Sequence, residues 1–107
     1  MRVVQISDLH LLTTTPAEDA RTYRYLADSK TEWSCDTAAT LEVVLTAIDR
    51  LCPAADALVI TGDIAQDEQY ETYVMLRGML KRHGYLQPGS PTRVLMVRPW
   101  HGGRVLL

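Results

Sequence analysis

Hydrophobic positions along the chain switch between two periods. Val3, Val4 and Ile6 make a short β-branched run closed by Ser7 and Asp8, the pattern of a buried first strand. From about Asp36 the spacing becomes helical, with Leu41, Val44, Leu45, Ile48 and Leu51 on one face. Asp36 stands before that run as an N-cap, and Pro53 marks its stop. Ala57-Leu58-Val59-Ile60-Thr61, ended by Gly62, predicts a second strand. A second helix is expected to start near Asp67, whose side chain can cap it. Tyr73, Leu76 and Leu80 line its inner face and Gly84 supplies the C-terminal break. After a loop containing Pro88, Gly89 and Pro91, the run Arg93-Val94-Leu95-Met96-Val97 predicts a third strand. The order β-α-β-α-β implies an α/β fold of parallel strands joined by right-handed crossovers. The connection from about residue 11 to residue 35 is long for a compact domain, so it either holds a short helix around residues 20–26 or borders a site.

Composition narrows the class without naming a function. A chain of 107 residues is one small domain at most, or a piece of a larger one. Its 47% hydrophobic and 22% charged residues are the balance of a globular protein able to bury a modest core. A net charge of -2 without a basic cluster gives no reason to expect nucleic acid or an anionic membrane as partner. The densest basic group, Lys81-Arg82-His83, falls where a helix should end, and the helix dipole favours cations there. Cys35 and Cys52 have neither zinc-ligand spacing nor the density of a disulfide framework. Met1-Arg2 leads straight into the first strand, unlike a secretory leader, and no apolar run approaches a membrane span. A cytoplasmic location is expected.

Candidate chemistry sits at the strand ends, where ligands bind in open α/β sheets. Asp8 and His10 lie just past the first strand and Asp63 just past the second. If those strands are neighbours they run about 4.8 Å apart, so their tips can share an ion. Residues two apart in an extended segment point the same way, which would let Asp8 and His10 offer an oxygen and a nitrogen to one metal. Each residue also has a plain structural reading: a strand-ending aspartate, a loop histidine, and a Gly-Asp turn dipeptide. Their coincidence at equivalent ends of two strands in one βαβ unit is what points to metal or phosphate binding.

The surrounding residues make the pattern specific. Val4-Gln5-Ile6-Ser7-Asp8-Leu9-His10-Leu11 resembles the first signature of the calcineurin-like metallophosphoesterases, a strand ending in Asp-x-His. Leu58-Val59-Ile60-Thr61-Gly62-Asp63-Ile64 resembles their second, a strand ending in Gly-Asp. The continuation Ala65-Gln66-Asp67, with Tyr70 and Tyr73 beyond it and Asp36-Thr37 opening the intervening helix, is similar to the bacterial 3',5'-cyclic-AMP phosphodiesterases. The resemblance covers residues 1 to about 97. It implies the N-terminal part of a four-layer α-β-β-α sandwich, of which this chain supplies mainly half of one sheet layer. It also implies that Asp8 and His10 bind one metal and that Asp63 bridges to a second. The implied cofactors are two divalent ions, iron or manganese with zinc as an alternative, since mixed Asp and His ligands suit these better than calcium. Such a pair, about 3.5–4 Å apart, activates a hydroxide against a phosphodiester or cyclic-nucleotide substrate. Asp67 is expected to cap a helix rather than to ligate.

The pattern breaks after the third strand. There the family carries Gly-Asn-His and an acidic residue, whereas this chain reads Val97-Arg98-Pro99-Trp100-His101-Gly102-Gly103. His101 is a stand-in for the family's leaving-group histidine or a solvated tail residue, the second being the reading preferred. His83 is assigned to a helix C-terminus without metal. No later histidine motif follows among the three histidines, His10, His83 and His101. The expectation is a partial domain over residues 1–97 with a divergent tail at 98–107, produced by truncation or a frame disruption and inactive alone. Uncovered strand surface would then favour self-association. The alternative is a non-catalytic α/β fragment that binds metal weakly or not at all. A related enzyme with another substrate, such as an exonuclease or a lipid-precursor hydrolase, is the third possibility.

Overall fold

The computed structural model describes residues 1–19 and 35–97. The short helix expected at 20–26, His101 and the 98–107 tail lie outside these residues. Three β-branched or aliphatic runs form the strands: β1 (Val3–Ser7), β2 (Ala57–Thr61) and β3 (Arg93–Met96). They pair in parallel in the order β1-β2-β3, in a register that aligns Val4, Leu58 and Val94, and then Ile6, Ile60 and Met96. These aligned residues point to one face, because side chains alternate along a strand. Central Leu58 and Ile60 are fully buried, whereas their counterparts on β1 and β3 are half-buried. Contrary to the expectation of a buried first strand, no residue of β1 is fully buried. Among the described residues β1 has a neighbour on one side only, and its residues alternate between exposed and half-buried. A β-branched run marks a strand but does not say whether it is central or at an edge.

Two helices cover that face: α1 (Thr37–Leu51) and α2 (Tyr70–Arg82). Leu41 and Leu45 from α1, and Leu76, Met79 and Leu80 from α2, join Leu58 and Ile60 in one continuous cluster. On the opposite face Val3 is 55%, Leu95 52% and Val97 51% exposed, so among the described residues the helices coat a single side of the sheet.

α1 starts as expected. Asp36 accepts a hydrogen bond from the Ala39 amide at 3.0 Å, satisfying an otherwise orphaned helix donor. The inner stripe ends sooner than the spacing implied, for Leu51 is 84% exposed. At about 100° per residue it lies roughly 80° around the axis from Leu41, outside the stripe.

α2 begins at Tyr70 rather than near Asp67, and the Gln69 side chain at the N-cap donates back to Asp67 O at 3.2 Å instead of capping the helix. Glu68 has a φ of 54°, a left-handed conformation that no α-helix contains, and it delays the start. Asp67 Oδ1 instead accepts from the Gln69 amide at 3.1 Å and from the Thr72 hydroxyl at 2.8 Å. Thr72 is fully buried, so its hydroxyl needs that partner. The helix ends where Gly84 takes a φ of 87°, with Tyr85 N donating to Leu80 O and Gly84 N to Lys81 O, a Schellman cap.

His83 does more than complement a helix dipole. Its ring lies between two carboxylates of α1, with Nδ1 2.6 Å from Asp49 Oδ2 and Nε2 2.7 Å from Glu42 Oε2, while Arg82 pairs with Glu42 at 2.8 Å. Burial pulls the His83 pKa down, but the hydrogen bonds to Asp49 and Glu42 outweigh it and hold the value above the usual 6.5. The hydrogen bonds from His83 and Arg82 hold Glu42 below its usual 4.5. The His83 contribution is complete below 6.5 and is lost as pH rises through its raised value. The Glu42 contribution is complete above 4.5 and is lost as pH falls through its lowered value. The clamp between the helices is therefore strongest between 4.5 and 6.5. The melting temperature of the wild type relative to His83→Gln is expected to fall by a few degrees between that window and pH about 9. An equal difference at both pH values would show that the clamp contributes nothing through its charge.

Candidate metal centre

The strand tips remain tied together beyond the sheet. Asp8 N donates to Thr61 O at 3.0 Å, His10 N to Asp63 O at 3.0 Å and Leu11 N to Ile64 O at 2.8 Å, and Gln66 N returns to Leu11 O at 2.9 Å. Leu11, Leu12, Ile64 and Ala65 are buried, so the two loops stand on apolar anchors. Water cannot compete well for backbone bonds held this way, which makes the tips a rigid platform.

The segment carrying Asp8 and His10 is not extended as the spacing had implied. Asp8 has a φ of 55° and His10 a φ of 45°. Asp and His adopt the left-handed region more readily than most residues, yet each still costs about 1–2 kcal/mol there. The two side chains converge through these successive left-handed turns rather than through the strand pleat. Strain of this kind persists where surrounding bonds over-determine the backbone, and it concentrates at functional sites.

Gly62 permits the closest approach. Its φ is 76°, and a Cβ added there would stand 2.8 Å from Asp8 Cγ and nearer still to Oδ1. The Asp8 carboxylate thus occupies the space a side chain at 62 would need, and Oδ1 accepts from the Asp63 amide at 3.3 Å. Asp8, His10 and Asp63 each bring one ligand atom within 4.8 Å of the others, with both aspartates exposed and the histidine half-buried. Two carboxylate charges brought this close repel one another. A divalent cation between them would reverse the sign. Two carboxylates and an imidazole form a donor set that suits a transition-metal ion.

Among the described residues this is the one such group. Asp67, engaged by Gln69 and Thr72, is not in it, and neither is His83, held by Glu42 and Asp49. Sequence reasoning missed Gln66, whose amide oxygen lies 2.7 Å from His10 Nδ1. The residue was visible only as part of Ala65-Gln66-Asp67, and no local rule pairs it with a histidine 56 positions away. A pocket of about 420 Å³ adjoins Asp8 and His10, with Ile6, Leu9, Leu41 and Val44 among its walls.

No helix among the described residues is long and apolar enough to cross a membrane. No curated protein and no solved structure matches the chain. A profile of the calcineurin-like phosphoesterases does match, over residues 1–98, which takes in both strand tips and the parallel sheet that presents them. The three convergent donors are thus found in the setting where that family, which uses divalent metals on phosphoester substrates, carries its chemistry. The chain belongs to the calcineurin-like phosphoesterase family.

Proposed function

We propose that the chain carries part of the metal site of a phosphodiesterase acting on cyclic nucleotides, with Asp8, His10 and Asp63 as ligands. The observation that carries this reading is the convergence of the three donors within 4.8 Å at the ends of adjacent parallel strands. Iron or manganese fits the mixed oxygen and nitrogen donors, with zinc as the alternative. When bound, such ions polarise a phosphoryl oxygen and make water a nucleophile near neutral pH. The chain's own part is to hold the donors in place: Gly62 gives the Asp8 carboxylate room, and the Asp63 amide donates to it. The apolar pocket beside Asp8 and His10 offers a surface for the nucleoside part of a substrate, and the Ala65-Gln66-Asp67 continuation supports the same substrate class. Cys35 and Cys52 are both free thiols, which fits a reducing cytoplasm.

A second reading is favoured by the number of donors. The described residues bring three ligand atoms together, enough to hold one ion, but the family's metal pair requires more. On this reading the chain alone binds a single divalent ion and turns over little or no phosphodiester. Calorimetric titration with Mn²⁺, run beside hydrolysis of 3',5'-cyclic AMP, separates the two. Asp63→Ala is expected to weaken Mn²⁺ binding by more than the about 10–100-fold typical of losing a group that merely supports a ligand. Where hydrolysis is measurable, it should fall with the binding. Undiminished hydrolysis in Asp63→Ala would rule out the ligand role of that residue.

A further inference from the structure

We infer that Gln66 is a positioning residue for His10, setting which imidazole nitrogen is offered to a metal ion. Gln66 Oε1 lies 2.7 Å from His10 Nδ1 in a partly buried contact. An amide oxygen can only accept, so Nδ1 must carry the proton and donate it to this oxygen. The lone pair is then left on Nε2. A free neutral imidazole in water favours the other tautomer, with the proton on Nε2. The tautomer in a protein is set by the hydrogen bond that the second nitrogen makes. Gln66 therefore reverses the intrinsic preference before any ion arrives.

The backbone around Gln66 is suited to that task. Its own amide is fixed to Leu11 O at 2.9 Å, and the His10 amide is fixed to Asp63 O at 3.0 Å. Between them Leu11 is 0% and Ala65 3% exposed. The amide side chain and the ring thus project from two segments bonded to one another, and the link between the segments does not depend on the Gln66 side chain. Replacing that side chain removes the acceptor and leaves the platform in place. Ring nitrogens opposite a metal are commonly held this way by an acceptor group, and losing that acceptor weakens binding by about 10–100-fold.

The inference deepens the metal-site reading and rests on it for the binding measurement. Long-range ¹H–¹⁵N spectra of the metal-free 107-residue chain in alkaline buffer report the His10 tautomer directly. Calorimetry with Mn²⁺ reports affinity. In the wild type His10 is expected to be protonated on Nδ1. Gln66→Met, similar in shape but without the acceptor, should move the population towards the Nε2-protonated form and weaken Mn²⁺ binding by about 10–100-fold. Gln66→Glu, which keeps an oxygen acceptor, should restore both. A wild-type His10 protonated on Nε2 would overturn the inference, as would Gln66→Met with unchanged tautomer and affinity. Mn²⁺ uptake that is indifferent to Gln66 refutes the positioning role alone. A wild type with the Nδ1 proton but no Mn²⁺ uptake refutes the metal-site reading and, with it, the purpose assigned to Gln66.

Discussion

Replacing Gly62 by alanine is expected to destabilise the fold by about 1–2 kcal/mol from the backbone alone and to abolish measurable Mn²⁺ binding. Two separate causes act at this position. The φ of 76° lies in the left-handed region that an alanine Cβ disfavours. The added carbon would also stand 2.8 Å from Asp8 Cγ and closer to Oδ1, too near for any real contact. The Asp8 carboxylate must turn away, giving up its bond from the Asp63 amide and its place within 4.8 Å of His10 and Asp63. Gly62→Asn separates the two causes. Asparagine tolerates positive φ, so it should recover much of the lost stability. It carries a Cβ all the same, so it should leave binding abolished. Chemical denaturation and calorimetry on the two variants make the comparison. If Gly62→Asn binds Mn²⁺ like the wild type, Gly62 is only a turn residue and the packing against Asp8 has no bearing on the site.

The position of Gly62 also shows what could be read from residues alone. Gly-Asp after an apolar strand signals a turn, and the rule that ligands gather at strand ends brought Asp8, His10 and Asp63 into one hypothesis. The structure brings their ligand atoms together, though by a different route. Left-handed φ values at Asp8 and His10 aim the side chains, and such values are enforced by the bonds to Thr61, Asp63 and Ile64 across the loops. No periodicity in a single segment encodes those bonds. Gln66 escaped notice for the same reason, since its partner is a loop residue on the neighbouring tip.

Helical signals divided along similar lines. The Asp36 cap and the Gly84 stop were legible because both are local: a side chain reaching three residues ahead, and a backbone conformation suited to glycine. The start of α2 was misplaced because Asp67 resembles a cap in sequence, whereas its carboxylate serves a buried threonine hydroxyl. The edge status of β1 and the clamp of His83 between Glu42 and Asp49 depend on what packs beside them. Local pattern reaches neither.

The largest loss of stability is expected from Leu11→Ala. Leu11 is 0% exposed and joins the core cluster from beneath the candidate metal centre. Truncating a buried leucine costs about 2–5 kcal/mol, according to how far the surroundings collapse into the cavity. Here collapse is resisted, because the Leu11 backbone is bonded on both sides, to Ile64 O and from Gln66 N. Small domains have a total stability of only about 5–15 kcal/mol, and among the described residues the helices coat one face of this sheet. Leu11→Ala should therefore lower the denaturation midpoint steeply. Leu51→Ala is the matched control, since Leu51 is 84% exposed and its truncation should stay within about 0.5 kcal/mol. The cavity also removes the footing on which both tips rest, so Mn²⁺ affinity should fall even under conditions where Leu11→Ala remains folded. Equal, small effects from the two leucines would mean that residue 11 is not a core anchor. A large loss of stability with unaltered Mn²⁺ affinity would mean that the strand tips keep their geometry without it.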